Sequence, residues 1–313
     1  MTAVDPGPWP RVVAIVGPTA SGKSAVALEL AGQLGAEIVN ADAFQLYRGM
    51  DVGTAKPGPL ERAAVRHHLL DVLDLQDDAS VAVYQGLARA ALRQLHDRGV
   101  PAVVVGGSGL YVRALLDDLR FPGSDPVVRA HWESELARVG PAGLHAVLAG
   151  RDPAAAAAIL PTNGRRIVRA LEVGELTGEP FPAVLPPDGP ACVPHVSVGL
   201  QWSRPALDQR IERRVEAMMA AGFEDEVRNL LDRGLRESRT ARRALGYPQM
   251  IDLIDGRIDR GETIESISAA TRAFARRQDR WFRRDPRTVW LAGNEVPAST
   301  ASRILDVIWG LSK

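Results

Sequence analysis

The sequence predicts an α/β protein: a parallel β-sheet core flanked by helices, with a small helical domain inserted into it and a helical C-terminal part. Three short apolar runs, at residues 12–16, 101–105 and 196–200, have the length and composition of buried strands. Residues 25–34 and 84–98 have the apolar spacing of amphipathic helices, and both lie between the first two runs. Strands that alternate with helices are typical of a mostly parallel sheet.

A glycine-rich segment joins the first predicted strand to the first helix. It consists of Gly17, Pro18, Thr19, Ala20, Ser21, Gly22, Lys23 and Ser24. Glycines let backbone N–H groups turn inward, the helix N-terminus adds a partial positive charge, and Lys23 adds a full one. The pattern predicts a P-loop NTPase-like core in which these eight residues bind a diphosphate. Ser24 is the predicted metal ligand, through a hydroxyl that binds the Mg²⁺ bridging the phosphates.

The composition limits the class of protein. Of 313 residues, 46% are apolar and 24% are charged, as in ordinary globular chains, and no run approaches the length of a membrane span. A single cysteine, Cys192, excludes an internal disulfide. The formal net charge is zero, so any contact with nucleic acid must come from local clusters of arginine. These features predict a cytoplasmic protein that does not bind membranes.

Two polar residues follow predicted strands, at the edge where ligands bind in open α/β sheets. Asp42 follows a short strand at residues 37–40, and it either contributes a carboxylate to a site or caps the following turn. Ser108 lies in the glycine-rich segment 106–109, where a tight turn and a ligand contact are equally good interpretations. The strand at residues 101–105 does not end in the aspartate that P-loop ATPases use to hold Mg²⁺, so nothing there favours ATP hydrolysis.

The composition changes near Pro122. From there to residue 195 the chain has helical spacing interrupted by proline and glycine. This predicts an inserted helical domain at residues 122–195, between core segments 1–121 and 196–313. The helices end in a proline-rich return segment, so we expect hinges near Pro122 and Pro190.

The C-terminal part contains a positively charged helix. Beyond Pro205 the pattern is helical nearly to the end, apart from a predicted loop at residues 242–248. Residues 271–284 hold six arginines and one aspartate. Helical spacing sets four of the arginines on one stripe: Arg272, Arg276, Arg280 and Arg283. Such a stripe is commonly a solvated face, but the aromatic residues beside it and the neutral charge of the chain favour a surface for nucleic-acid phosphates.

An ordered set of motifs along nearly the whole chain resembles the tRNA dimethylallyltransferase family, also called tRNA isopentenyltransferases. The matching segments are residues 17–24, Asp42 with Gln45 and Tyr47, residues 49–56 and 67–71, residues 106–107 with 110–111, residues 169–172, Gly246 with Tyr247, and residues 271–272 with 275–278. A phosphate-binding loop alone is weak evidence for one chemistry, whereas the ordered set is specific. The chain departs from the family pattern at Ala43, Ser108 and Pro248, where the family commonly has Ser, Thr and Lys or Arg. Ser108 keeps the hydroxyl, while Ala43 and Pro248 keep only backbone contacts.

The resemblance implies transfer of a dimethylallyl group from dimethylallyl diphosphate to N6 of adenosine 37 in the anticodon loop of tRNA, with release of diphosphate. The implied catalytic residues are Asp42, which orients the amine and accepts a proton, Lys23, which stabilises the leaving diphosphate, and Ser108. The residues implied to contact tRNA are Asp42, Ala43, Phe44, Gln45, Ser108, Arg129, Arg165, Arg166, Arg169, Arg243, Gly246 and Tyr247. The inserted domain would clamp the anticodon stem-loop while the target base swings out of its stack. The implied cofactor is Mg²⁺, and we expect a monomer.

Two other functions fit parts of the sequence. A P-loop kinase of a nucleoside or small metabolite would use Arg165, Arg166 and Arg169 as a phosphate lid, but it leaves the basic C-terminal helix without a role. A non-catalytic RNA-binding protein regulated by nucleotide would bind tRNA regardless of Asp42 and leave the RNA unchanged.

Overall fold

The computed structural model of the protein describes residues 12–183 and 191–310. The chain divides into two compact units, one of Met1–Asp118 with Pro190–Lys313 and the other of Leu119–Gly189. The predicted hinge near Pro190 lies outside the described residues.

The larger unit contains a six-stranded sheet. Its strands are β1 (Val12–Val16), β2 (Glu37–Asn40), β3 (His67–His68), β4 (Ala102–Val105), β5 (His195–Gln201) and β6 (Thr288–Ala292). Their order is β3-β2-β4-β1-β5-β6, and every neighbouring pair is parallel. In this register Val12 lies beside Ala102 of β4 and His195 of β5. The parallel sheet confirms the predicted α/β class and brings the carboxyl ends of its strands to one edge.

Helices connect the strands of the larger unit, and further helices form the smaller unit. In chain order they are α1 (Lys23–Leu34), α2 (Pro59–Ala64), α3 (Val81–Asp97), α4 (Gly109–Leu116), α5 (Pro126–Arg151), α6 (Pro153–Ala158), α7 (Gly164–Thr177), α8 (Arg204–Ala220), α9 (Phe223–Asp232), α10 (Tyr247–Ile254), α11 (Arg260–Phe282) and α12 (Pro297–Ile308). Within the described part of the chain, none of them combines the length and apolar character needed to cross a bilayer.

Apolar side chains cover both faces of the sheet. Along β1, which is buried throughout, Val12 and Val16 pack on one face with α3 and the C-terminal helices. Val13 and Ile15 pack on the opposite face with α1 and α12. A strand buried on both faces has a continuous apolar sequence, which is why β1 could be predicted from the sequence. The two cores fix the sheet edge from which the loops after β1, β2 and β4 emerge.

The prediction that the chain is helical nearly to the end beyond Pro205 is wrong at β6. This five-residue segment, Thr-Val-Trp-Leu-Ala, adds a parallel edge strand beside β5. Its β-branched and aromatic residues suit a strand whose outer edge is exposed. The predicted loop at residues 242–248 also contains regular structure, because a 3₁₀ turn at Ala241–Arg243 precedes α10, which begins at Tyr247.

The smaller unit is helical and consists of α5, α6 and α7. Its core contains Trp132 and Leu144 of α5 and Leu171 of α7. A kink divides α5 at Gly140, whose φ of 72° and ψ of 171° are not helical. The next residue is Pro141, and a helix rarely continues unchanged into proline because the residue before it avoids the helical region.

Candidate active site

The segment between β1 and α1 has the backbone of a phosphate-binding loop. Gly17 has a φ of 132°, and a Cβ there would lie 3.1 Å from the carbonyl oxygen of Leu200, so glycine is required. Gly22, with a φ of 92°, immediately precedes α1, which begins at Lys23. The first turn of a helix has backbone N–H groups without helical partners and the positive end of the helix dipole. This end of α1 is therefore suited to an anion such as diphosphate.

Lys23 is held within the loop that it follows. Its Nζ donates a hydrogen bond to the carbonyl oxygen of Pro18 at 2.6 Å. Burial, together with the positive charge of Arg214, lowers the pKa of Lys23 to about 7, while the negative charge of Asp42 opposes the shift. An anion bound against Nζ would favour the charged form of this lysine.

Two arginines of α8 reach the same loop. Arg210 Nε donates to the carbonyl oxygen of Ala20 at 2.8 Å, and Arg214 Nη1 donates to Thr19 Oγ1 at 3.3 Å. Burial lowers the pKa of Arg214, while the charge of Asp42 opposes the shift. With Lys23, these two guanidinium groups concentrate positive charge at the N-terminus of α1.

Asp42 is fixed by its neighbours and faces the same region. Its backbone N–H donates to Asn40 Oδ1 at 2.9 Å, and its carbonyl oxygen accepts from Asn40 Nδ2 at 3.0 Å. Asp42 Oδ1 accepts from the backbone N–H of Phe44 at 2.9 Å, so this carboxylate does cap the following turn. Oδ2 has no hydrogen-bond partner among the described residues, which leaves it able to accept from a substrate.

The loop after β4 packs closely against the residue that follows β2, and a side chain of α11 links it to the loop after β1. A Cβ on Gly106 would collide with the backbone carbonyl of Ala41, so this glycine is required for the approach. Gln278 of α11 bridges the loop after β1 and the loop after β4. Its Oε1 accepts from the backbone N–H of Thr19 at 2.8 Å, and its Nε2 donates to the carbonyl oxygen of Gly107 at 2.9 Å.

One cavity of about 350 Å³ joins these parts. It is lined by Thr19, Ala20, Gly22, Lys23 and Ser24 of the loop, by Asn40, Asp42 and Gln45 after β2, by Gly106 and Gly107 after β4, and by Arg210, Arg214 and Gln278 of the C-terminal helices. A carboxylate and a cationic anion-binding loop thus lie on one cavity. The arrangement can hold a diphosphate at one end and accept a proton from a nucleophile beside it.

Comparison with known proteins assigns the family. The family model described as IPP transferase matches residues 45–285, which is more than half of the chain. The chain belongs to this family. A tRNA dimethylallyltransferase of Kineococcus radiotolerans is 59% identical over 306 residues, covering 95% of this chain and 96% of that protein. A relative of the same name from Mycobacteroides abscessus is 53% identical over 309 residues, covering 96% of this chain and 98% of that protein.

Solved structures agree with this assignment. The full-length tRNA isopentenylpyrophosphate transferase of Bacillus halodurans has a TM-score of 0.70 at 38% identity, and the match covers 96% of both chains. A eukaryotic dimethylallyltransferase acting on tRNA has a TM-score of 0.74 at 21% identity, covering 96% of this chain and 80% of that one, which supports the fold alone. The resemblance stated from the motifs is thereby confirmed.

Several predicted site residues do not line the cavity. Ser108 directly follows Gly107, which lines the cavity, and is itself half-buried. It is the N-cap residue of α4, but its side chain makes no capping hydrogen bond. Ala43 and Phe44 pack partly buried against the apolar core. Arg243 is exposed in the 3₁₀ turn, and Gly246 is buried with a φ of 95°. Their contacts with tRNA stay predictions.

Tyr247 has a different position from the one that its predicted tRNA contact needs. Its side chain is fully buried, at 0% exposure, and its hydroxyl donates to Glu226 Oε1 at 2.7 Å. A residue with no exposed surface is placed to support a neighbouring segment rather than to touch RNA.

In the smaller unit, two of the predicted RNA-binding arginines pair with a buried carboxylate. Glu172 accepts from Arg129 Nη2 at 2.5 Å and from Arg169 Nη1 at 2.8 Å, and its side chain is 0% exposed. Burial alone would raise the pKa of Glu172, but hydrogen bonds from Arg129, Ser124 and Arg169 lower it to about 2. Arg129 and Arg169 therefore stabilise the unit itself.

The other two arginines of the predicted RNA-binding set lie at the start of α7. Arg166 donates to the carbonyl oxygen of Ala183, and Arg165 is exposed. Arg165 is therefore the member of the predicted set whose replacement disturbs the unit least.

Three polar cavity residues to which the sequence gives no role come from the C-terminal helices. These residues are Arg210, Arg214 and Gln278, of which only Gln278 belongs to one of the matching motifs. The sequence distinguishes Gln278 only as an uncharged residue in an arginine-rich helix, and the structure shows that its side chain is buried. Arg214 gave no comparable signal, because α8 carries several arginines.

The side-chain oxygens of Ser24 and Asp42 suit a hard divalent cation whose other ligands are mostly phosphate oxygens of the substrate. Ser24 is exposed at the start of α1 and lines the cavity together with Asp42. Across residues 12–183 and 191–310, no group of three or more His, Cys, Asp or Glu side chains could hold a metal ion alone. Mg²⁺ in phosphate sites commonly takes one or two protein oxygens and completes its shell with phosphates and water, so these residues suit it.

Proposed function

We propose that this protein transfers the dimethylallyl group of dimethylallyl diphosphate to N6 of adenosine 37 in the anticodon loop of tRNA and releases diphosphate. The observation that carries the proposal is that Lys23 of the phosphate-binding loop and Asp42 line one cavity. Relatives at more than half identity bear the name tRNA dimethylallyltransferase, and each match covers most of both chains. We propose that the protein acts as a monomer, because one anticodon loop presents one target base.

The phosphate-binding loop holds the leaving group in this reaction. As the bond between the allylic carbon and the diphosphate oxygen breaks, negative charge grows on that oxygen. Lys23, Arg214 and the N–H groups at the start of α1 are placed to stabilise this charge, and they do so most strongly in the transition state. The Ser24 hydroxyl would hold Mg²⁺ on the same phosphates, where the ion supplies further charge neutralisation. No nucleotide triphosphate is consumed.

Asp42 acts on the nucleophile. The N6 amine of adenine is weakly nucleophilic because its lone pair is delocalised into the ring. Asp42 Oδ2 can accept a hydrogen bond from this amine, which orients the lone pair toward the allylic carbon, and can take the proton as the C–N bond forms. Asn40 keeps the backbone of Asp42 in place throughout.

The tRNA must present its base outside the stack, because a stacked base cannot enter the cavity. We propose that Gln45, which lines the cavity, and Ser108 contact the flipped nucleotide or its neighbours. The smaller unit and Arg243 would hold the backbone of the anticodon stem-loop through phosphate contacts.

One experiment tests the reaction directly. The purified protein is incubated with unmodified tRNA, dimethylallyl diphosphate and Mg²⁺, and the nucleosides of the digested tRNA are weighed by mass spectrometry. The expected product is adenosine heavier by one dimethylallyl group at position 37. Unchanged adenosine, together with transfer of labelled γ-phosphate from ATP to a nucleoside, would support the kinase instead. The relatives and the family model give that alternative no support.

Above pH 7, Lys23 is expected to take up a proton when diphosphate binds. The pKa of Lys23 is about 7, and an anion against Nζ raises it, so each binding event above pH 7 must protonate the lysine. Affinity should therefore fall as pH rises above 7, by up to about tenfold per pH unit, whereas below pH 7 the lysine is already charged. Calorimetric titration with inorganic diphosphate, in two buffers of different ionisation enthalpy, measures the uptake.

Lys23→Met supplies the background for this measurement, because the ligand has ionisations of its own. Proton uptake by the wild type that is no larger than uptake by Lys23→Met would contradict the role given to this lysine.

The salt dependence of tRNA binding tests the arginines of the smaller unit. Arg165→Gln is expected to reduce the slope of log Kd against log salt concentration by about one, because one phosphate contact is lost. Arg129 and Arg169 are unsuitable for this purpose, since removing either leaves Glu172 buried with fewer partners. Arg138→Gln is the matched control, as Arg138 is exposed in the same unit and pairs with Glu135 at 2.6 Å. Equal slopes for all three proteins would remove Arg165 from the RNA contact.

A further inference from the structure

A single carboxylate outside the cavity holds the loop that borders it. Glu226, in the first turn of α9, accepts hydrogen bonds from three consecutive backbone N–H groups. Oε2 accepts from Asp51 at 2.8 Å and from Val52 at 2.5 Å, and Oε1 accepts from Gly53 at 3.1 Å. Three convergent donors on one charged group fix both the position and the direction of a loop.

Tyr247 fixes that carboxylate in turn. Its hydroxyl donates to Glu226 Oε1 at 2.7 Å, and burial followed by the charge of Glu226 raises its pKa, so the hydroxyl stays protonated. Its ring packs edge-on against Phe223, with the centroids 5.1 Å apart. A Cβ on Gly53 would come within 2.8 Å of the Tyr247 ring, so the loop lies directly against it. The absence of a side chain at residue 53 permits this contact.

The same loop continues into the cavity. Thr54 and Ala55 line it, and their carbonyl oxygens accept hydrogen bonds from Gln45 Nε2 at 3.1 and 3.3 Å. Beyond them Lys56, whose side chain is 0% exposed, pairs with Asp71 at 2.6 Å and anchors the other end of the loop. The direction of the Gln45 amide therefore depends on residues 51–55.

We propose that Tyr247 and Glu226 are positioning residues for the transfer reaction, which hold residues 51–53 and thereby orient Gln45 toward the tRNA nucleotide. This inference rests on the proposed function of the cavity. Neither residue lines the cavity, so both act through Gln45 and leave the diphosphate end of the site to other elements.

Two variants test the proposal in the full-length protein. Tyr247→Phe removes the hydroxyl, and Glu226→Gln removes the charge and one acceptor. Each is expected to lower kcat/KM for tRNA by about tenfold, the effect of losing one hydrogen bond to a charged group. The affinity for dimethylallyl diphosphate should be unchanged, because the loop after β1 does not depend on this network.

Matched controls exist for both changes. Tyr84 is also fully buried, and its hydroxyl has no partner among the described residues, so Tyr84→Phe should leave kcat/KM as it is. Glu224 lies on the same turn as Glu226 but pairs with Arg228 at 2.6 Å, so Glu224→Gln should do the same. A loss as large in the controls as in the two variants would overturn the proposal.

Two further measurements separate positioning from a general loss of structure. In a Gln45→Ala background, Tyr247→Phe should change kcat/KM by less than about twofold, because residues that act as one unit are not additive. Additive effects would overturn the route through Gln45. Amide hydrogen exchange over residues 48–58 should be faster in Tyr247→Phe and Glu226→Gln than in the wild type and the controls. Hydrogen exchange can be measured without turnover, so unchanged exchange rates in the variants would overturn the inference that Tyr247 and Glu226 hold residues 51–53. Failure of the wild type to transfer a dimethylallyl group would overturn only the proposed function.

Discussion

Replacing Asp42 with Asn should lower the single-turnover rate of prenyl transfer by about 10²–10⁴-fold, the usual range for loss of a general base. An amide at this position can still accept from the backbone N–H of Phe44 through its oxygen, so the turn after β2 is preserved. The amide nitrogen cannot take a proton from the N6 amine. The affinity for tRNA should stay within about twofold of the wild type, since the lost interaction is made chiefly to the reacting group.

The comparison of Asp42→Asn with Asp42→Ala separates chemistry from local structure. Alanine loses both the base and the turn cap, so any additional loss in that variant measures the contribution of the hydrogen bond to Phe44. Rapid-quench measurement of prenylated tRNA with enzyme in excess gives the rate, and filter binding gives the tRNA affinity. If Asp42→Asn turns over at the wild-type rate, another group must accept the proton.

Replacing Lys23 with Met should lower kcat/KM for dimethylallyl diphosphate by about 10²–10³-fold, as expected for removal of one preorganised donor at a developing negative charge. Methionine has nearly the length of lysine and fills the same space, so the loop keeps its packing. Because burial lowers the pKa of Lys23, a charged Lys23 makes the free energy of folding less favourable, and methionine has no such cost. The melting temperature at pH 7 should therefore hold or rise while activity falls.

Arg228→Gln is the control for loss of one positive charge. Arg228 lies on α9, pairs with Glu224 at the surface, and is 52% exposed. Its removal should leave kcat/KM for the prenyl donor within about twofold, because surface pairs contribute little. If the rate of Lys23→Met depends on the concentration of dimethylallyl diphosphate as the rate of the wild type does, the loop does not hold the diphosphate.

The parts of the site predicted from the sequence are those encoded by short segments. Residues 17–24 were recognised because spacing, strand and helix all lie within a few residues of one another. Gln278 was not, because the chain separates it from Thr19, its hydrogen-bond partner, by 259 residues. Arg214 is separated from Thr19 by 195 residues for the same reason. Local pattern carries no information on which distant side chain closes a loop.

The smaller unit shows the same limit. The spacing at residues 122–195 predicts helices, and the pairing of Arg169 with Glu172 is an ordinary contact between neighbours on one helix. The second partner of Glu172 is Arg129, which precedes it by 43 residues on another helix. The sequence therefore suggested RNA contacts for arginines that the fold uses in part to neutralise a buried acid.

The close packing of Gly106 against the backbone of Ala41 restricts how this enzyme can be redesigned. The contact there is between two backbone segments, so no side-chain substitution can enlarge the cavity at this point, and a side chain at residue 106 would displace the backbone that follows β2. Room for a bulkier alkyl donor has to be made where the wall consists of side chains that can be shortened, as at Leu28, Ile38 and Leu70. Directed changes that seek longer donors should begin at those three positions.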